Sequence, residues 1–200
     1  METNIIVFTD GSSLNNAGAI SFGGIGIHFP NGELDDISEP FLLKPITNQR
    51  TELYAIYIAI KEITNNLNFD TITIYSDSEY SIKSLTTWIN TWKNNNWKSS
   101  TGKPVKNKDI IEPINELMEK YPKKIKFKHV RSHTGKQDFE SISNDKADKL
   151  AVNGSNRGKQ IITALINKNK KASSKKAISK AETKKNDTPK KKKVLRVKTD

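Results

Sequence analysis

Apolar residues change their spacing near residue 50, and that change limits the folds open to this chain. NIIVFTD (4–10) is a β-branched and aromatic run that reads as a buried strand. In AISFGGIGIHF (19–29), Ile20, Phe22, Ile25, Ile27 and Phe29 alternate across a glycine pair, which predicts a bulged strand, and PNGE (30–33) is a hairpin turn signal. A weaker third strand is expected over 37–44. From Arg50 onward Leu53, Ile56, Tyr57, Ile60, Ile63 and Leu67 recur at three and four, a helical pattern. Thr51 or Asn48 would cap this helix, with Glu52 in or near its first turn. TITIYS (71–76) returns to strand alternation. Helices are expected from Ser78 to about Asn94 and from about Asn107 to Tyr121, a strand over KIKFKHV (124–130), and a short helix near 144–153. Three hairpin-linked strands followed by strand–helix–strand crossovers predict an α/β fold. Its mixed five-stranded sheet would have the first three strands antiparallel and helices on both faces. Sites in such sheets form beyond the carboxyl ends of strands, where Asp10 and Asp77 stand.

Charge divides the chain. Residues 157–200 hold 16 Lys and Arg against 3 Asp and Glu, out of 34 and 22 in the whole sequence, so 1–156 retain 18 against 19. The net charge of +12 is therefore a property of the tail, and the remainder is nearly neutral. After Arg157 no aromatic residue occurs, and the lysine-, serine- and asparagine-rich text offers little apolar area to offset its ordering entropy. Two regions follow: a catalytic or binding domain over 1–156 and a largely disordered basic tail over 157–200, in which only 161–166 would extend the last helix. The absence of cysteine excludes disulfides, thiolate metal sites and thiol nucleophiles. With no apolar run of membrane-spanning length and no signal-peptide pattern, an intracellular, soluble protein is expected.

Asp10, Glu52, Asp77 and Asp148 lie in four separate segments, each where a strand ends or a helix begins or runs. Singly they have ordinary explanations: a turn residue, a first-turn acid, a helix N-cap, a charge on a solvated helix face. Brought together they would repel and raise one another's pKa unless a cation neutralised them. Oxygen-only ligation without cysteine favours Mg²⁺ or Mn²⁺ over zinc. His129 and His133 are four apart, but no third ligand accompanies them, so a zinc pair is not expected.

TDGS, TNQRTELYA, SDSEY and NDKADKLA, in that order, resemble the four carboxylate motifs of type 1 ribonuclease H, with VRSHTG similar to the loop bearing that family's catalytic histidine. The resemblance covers roughly Ile5 to Ala151. It implies an endoribonuclease that cuts the RNA strand of RNA–DNA hybrids and leaves 5′-phosphate and 3′-hydroxyl ends. Asp10, Glu52, Asp77 and Asp148 would ligate two Mg²⁺ ions, with Mn²⁺ a possible substitute, and His133 would assist proton transfer or product release. Asn48 and Gln49 match residues that read 2′-hydroxyls in the minor groove, Asn16 from the first loop would partner them, and Ser78, which follows Asp77, is expected among the substrate-binding residues. Thr47 and Asn107 match positions that grip a phosphate of the DNA strand, and Trp97 resembles a tryptophan lying against the nucleic-acid backbone. Glu79 departs from the family, where a glutamine often stands. Asn94, Asn95 and Asn96 make the protrusion less basic than in many relatives. Trp88 and Trp92 read as helix-packing residues.

The tail would then act as a tethered, sequence-independent clamp on nucleic acid. TPKKKKVLRVK (188–198) resembles a lysine-rich nuclear localisation signal, so the compartment is cytoplasmic or nuclear. The expected molecule works as a monomer with no membrane partner. The alternative from another class is a catalytically silent hybrid-binding protein whose tail does the binding.

Overall fold

The computed structural model describes residues 2–15, 21–132 and 134–186. Asn16, His133 and the 188–198 segment lie outside the described residues. Strand β1 (Asn4–Asn15) is antiparallel to β2 (Ser21–His28), and β2 to β3 (Ile37–Phe41). β1 then pairs in parallel with β4 (Thr71–Ser76), and β4 in parallel with β5 (Ile125–His129). The order β3-β2-β1-β4-β5 is the expected mixed sheet.

Alternation along the strands sends residues to two cores. Ile5, Val7, Ile25 and Ile27 join the larger one with helix α1 (Asn48–Asn66) and helix α4 (Lys108–Lys120). Leu53, Ile56, Ile60 and Ile63 of α1 are fully buried, each contributing about 1.5–3 kcal/mol. On the opposite face Phe8, Tyr75 and Val130 pack with Ala147 of helix α5 (Phe139–Asn186). Phe8 stacks on Tyr75 with centroids 4.5 Å apart, and Phe139 meets Phe8 edge-on at 5.8 Å.

Several boundaries differ from the sequence expectation. β1 does not break at Gly11 but runs on to Asn15, because the hairpin register with β2 continues without interruption. The glycine pair is no bulge: Gly23 faces Ser13 and Gly24 faces Ser12, one for one. β3 stops at Phe41, where its pairing with Gly23 ends. α1 starts at Asn48 with Thr47 at its cap, so Glu52 stands just past the first turn. The helix expected after Ser78 is built of α2 (Glu79–Lys83), a π turn over Ser84–Trp88, and α3 (Ile89–Asn94). α5 begins earlier than 144 because the Asp138 carboxylate accepts the Ser141 N–H at 2.8 Å, an N-terminal cap.

The backbone of α5 is helical to Asn186, whereas composition predicts disorder beyond 166. Lysine and alanine, with Glu182, favour helix here, and no proline intervenes before Pro189. Met1–Gln160 forms one compact unit, and 161–200 a second. The first unit passes residue 156: Arg157 donates to the Ser38 hydroxyl at 3.0 Å, and Gly158 packs against Pro40. Among the described residues, no helix is long and apolar enough to cross a membrane.

Candidate active site

Phe8 of β1 and Tyr75 of β4 are register partners at the end of the parallel pairing. Asp10 and Asp77 each follow by two residues, so adjacent parallel strands deliver both carboxylates to the same end of the sheet. Asp10 is buried and Asp77 half-buried. Glu52 arrives from α1, and Gly11 explains how. A Cβ at position 11 would lie 2.2 Å from the Glu52 backbone nitrogen, so only glycine lets the helix sit this close to β1. Ligand oxygens of Asp10, Glu52 and Asp77 lie within 4.8 Å of one another.

Asp148 reaches the site on α5. Gly26 is the register partner of Asp10, and a Cβ there would lie 2.0 Å from the Ala147 carbonyl oxygen. The missing side chain lets the turn that carries Asp148 rest on β2 beside Asp10. Asp148 is half-buried and stands outside the tight group of three, yet its charge acts on Asp10.

Asp10 is raised to about 7, first by burial and then by the neighbouring charges of Asp77 and Asp148. Glu52 is raised well above the ordinary carboxylate range, first by burial and then by Asp10 and Asp77. Asn48 donates to Glu52 Oε1 at 3.4 Å, a long contact, whereas Glu52 Oε2 is buried without a hydrogen-bond partner. Crowded carboxylates, an orphaned buried oxygen and an all-oxygen donor set fit a hard divalent cation. Positive charge is what this cluster lacks.

The other expected residues are distributed around it. Thr47, Asn48 and Gln49 are exposed where α1 begins. With Arg50, Lys106 and Asn107 they line a pocket beside the site. Asn107 has a left-handed backbone with φ 61° and donates through Nδ2 to the Tyr80 hydroxyl at 3.0 Å. The Ser78 hydroxyl caps α2, accepting the Ser81 N–H at 3.3 Å. Trp97 is half-buried against the larger core, with Lys108 Nζ 5.2 Å from its ring centroid. Trp92 packs on that core while Trp88 is exposed, in a ladder running from Tyr80. His129 donates through Nε2 to the Asp77 carbonyl at 3.2 Å. Glu79 pairs with Lys83 at 2.5 Å on the exposed face of α2.

Sequence reasoning missed Gly11, Gly26, Arg50, Asp109 and Tyr80. Gly11 reads locally as the end of a strand and Gly26 carries no local signal, and the role of each appears only when a helix backbone lies over it. Arg50 sits inside the TNQR segment, and its partner Asp109 is far away in sequence. The two are joined by a bidentate ion pair of 2.6 and 2.7 Å.

The RNase H family model matches residues 2–156. A protein described as a probable ribonuclease H from Acanthamoeba polyphaga mimivirus is 47% identical over 137 residues, covering 68% of this chain and 59% of that relative. Ribonuclease HI of Haemophilus influenzae is 38% identical over 156 residues, 77% of this chain and 91% of the relative. The chain thus spans little more than half of the viral relative and nearly all of the bacterial one. The solution structure of the PFV RNase H domain superposes with a TM-score of 0.64 at 26% identity, covering 78% of this chain and 96% of that domain. Sequence, fold and the clustered carboxylates agree, and the chain belongs to the type 1 ribonuclease H family.

Proposed function

We propose that this chain is an endoribonuclease that hydrolyses the RNA strand of RNA–DNA hybrids, leaving 5′-phosphate and 3′-hydroxyl ends. The observation that carries the reading is the convergence of Asp10, Glu52 and Asp77 just past the point where the parallel pairing of β1 and β4 ends. Those three, with Asp148 beside them, would hold two Mg²⁺ ions, and Mn²⁺ would substitute. When bound, such ions activate a water and neutralise charge on the attacking and leaving oxygens. His133 assists proton transfer or product release, since an imidazole titrates near working pH.

Asn48, Gln49 and Ser78, with Asn16, read 2′-hydroxyls across the shallow groove of the hybrid. Thr47 and Asn107 hold a phosphate of the DNA strand, and Trp97 lies along the backbone. Neither cap side chain, Thr47 on α1 or Asn107 on α4, is committed to a hydrogen bond with its own helix end. One duplex sequence prepared as RNA–DNA hybrid, duplex DNA and duplex RNA tests the substrate class. Only the RNA of the hybrid should be cut, with 5′-phosphate ends. Binding to the hybrid without cleavage would replace the enzyme with a silent hybrid-binding protein.

The basic tail is a separate proposal: it clamps nucleic acid non-specifically while the enzyme works as a monomer. Sixteen cationic residues from Arg157 onward supply the charge. Residues 188–198 would direct the chain to the nucleus; a reporter carrying them that stays cytoplasmic would refute this.

A further inference from the structure

Two helices start at the pocket beside the carboxylates, and their first turns are tied together. Thr47 is the cap of α1, and its carbonyl accepts the N–H groups of Arg50 and Thr51, both at 3.1 Å. Asn107 is the cap of α4, and its carbonyl accepts those of Ile110 and Ile111, both at 3.0 Å. Three residues into α1, Arg50 reaches across to Asp109, two residues into α4, with both nitrogens of its fork engaged. On the other side Asn107 is bound to Tyr80, three residues after Asp77.

The arrangement is a poor one for stability. The Arg50 side chain is 5% exposed and Asp109 is 59% exposed, so one charge is desolvated while its partner remains in water. Arg50 Nε is buried without a hydrogen-bond partner. What a fork-on-carboxylate contact does supply is fixed distance and fixed angle between the two helix starts.

We propose that Arg50 and Asp109 form a positioning pair that sets the spacing between Thr47 and Asn107, and hence the register of the DNA-strand phosphate against the carboxylate cluster. Tyr80 is the second brace, linking Asn107 to the strand end that bears Asp77. The proposal rests on the reading that Thr47 and Asn107 hold a DNA phosphate. Neither Arg50 nor Asp109 touches the reacting atoms; both act through the residues they hold in place.

The test uses the full chain with Mg²⁺ and a short hybrid whose DNA strand carries one neutral methylphosphonate, moved along the strand position by position. In the wild type one position should raise KM about tenfold, the loss of one phosphate contact. Asn107→Ala should abolish that sensitivity, which checks the pocket. Asp109→Asn should raise KM about tenfold on the unmodified hybrid with kcat within twofold and lose the position-specific sensitivity. Tyr80→Phe, which leaves the ion pair intact, should blunt the same position more weakly. Asp109→Glu, which keeps the charge, should restore part of the wild-type KM. If no position is sensitive in the wild type, the pocket reading fails. If the position is sensitive, Asn107→Ala silences it, and both Asp109→Asn and Tyr80→Phe retain full sensitivity, the positioning pair is refuted while the pocket stands. A fall in kcat with unchanged KM in Asp109→Asn would likewise mark mere loss of folded protein and overturn the proposal.

Discussion

Asp10 would bind a proton in the ion-free folded protein across a pH range in which the unfolded chain has released it, since burial and neighbouring carboxylates lift it from 3.8 to about 7. Folded molecules then hold more protons than unfolded ones between those values, so the contribution of Asp10 to stability falls as pH rises through that window. Glu52 acts in the same direction. Asp10→Asn removes the charge and keeps the shape. At pH 7.5 in EDTA the variant should be more stable than wild type by on the order of 1–4 kcal/mol in chemical denaturation, and Mg²⁺ should stabilise wild type more than the variant. A variant less stable than wild type in EDTA would argue against the repulsion. At this scale the carboxylates are legible in the sequence because each stands in a segment with its own local signature. Gly11, Gly26 and the Arg50–Asp109 pair are not, since their reason for being there is contact across the fold.

Among the elements, α5 depends most on absent atoms. The turn around Ala147 rests on Gly26 with no room for a methyl group. Gly26→Ala would force α5 away from β2, costing about 1–3 kcal/mol, and would carry Asp148 from its place beside Asp10. Hybrid cleavage should fall at least tenfold, and the thermal midpoint should drop; full activity with an unshifted midpoint would show that α5 yields freely. Strand and helix identities are readable from apolar spacing, as in TITIYS and in Leu53 to Ile63, because one-sided burial writes a period into the sequence. Ends are less legible. β1 outlasts its apolar run because hairpin pairing with β2 supports Gly11, Ser12 and Ser13, and α5 starts early because of the Asp138 cap. The π turn at Ser84–Trp88 has no signature that periodicity could reveal.

For the molecule as a whole, charge and fold occupy different parts of the chain. The compact unit ends at Gln160, so removal of the basic tail should stop there and spare Arg157 and Gly158, which pack on β3 and its neighbour. A chain ending at Gln160 should keep its low-salt turnover but show a several-fold higher KM at about 0.15 M salt, with a shallower salt dependence. Equal salt slopes for the two chains would leave the tail with no part in substrate binding. The central proposal is that the carboxylate cluster carries out metal-dependent cleavage of hybrid RNA. Single-turnover cleavage of an end-labelled RNA–DNA hybrid by wild type and Asp10→Asn, each with Mg²⁺ and with EDTA, tests it without intermediaries. Wild type should cut the RNA strand with Mg²⁺ alone, and Asp10→Asn should lose at least a thousandfold in rate, roughly the 4 kcal/mol expected for removing a group that helps hold the metal site. Cleavage that persists in EDTA, or in Asp10→Asn at the wild-type rate, would refute it.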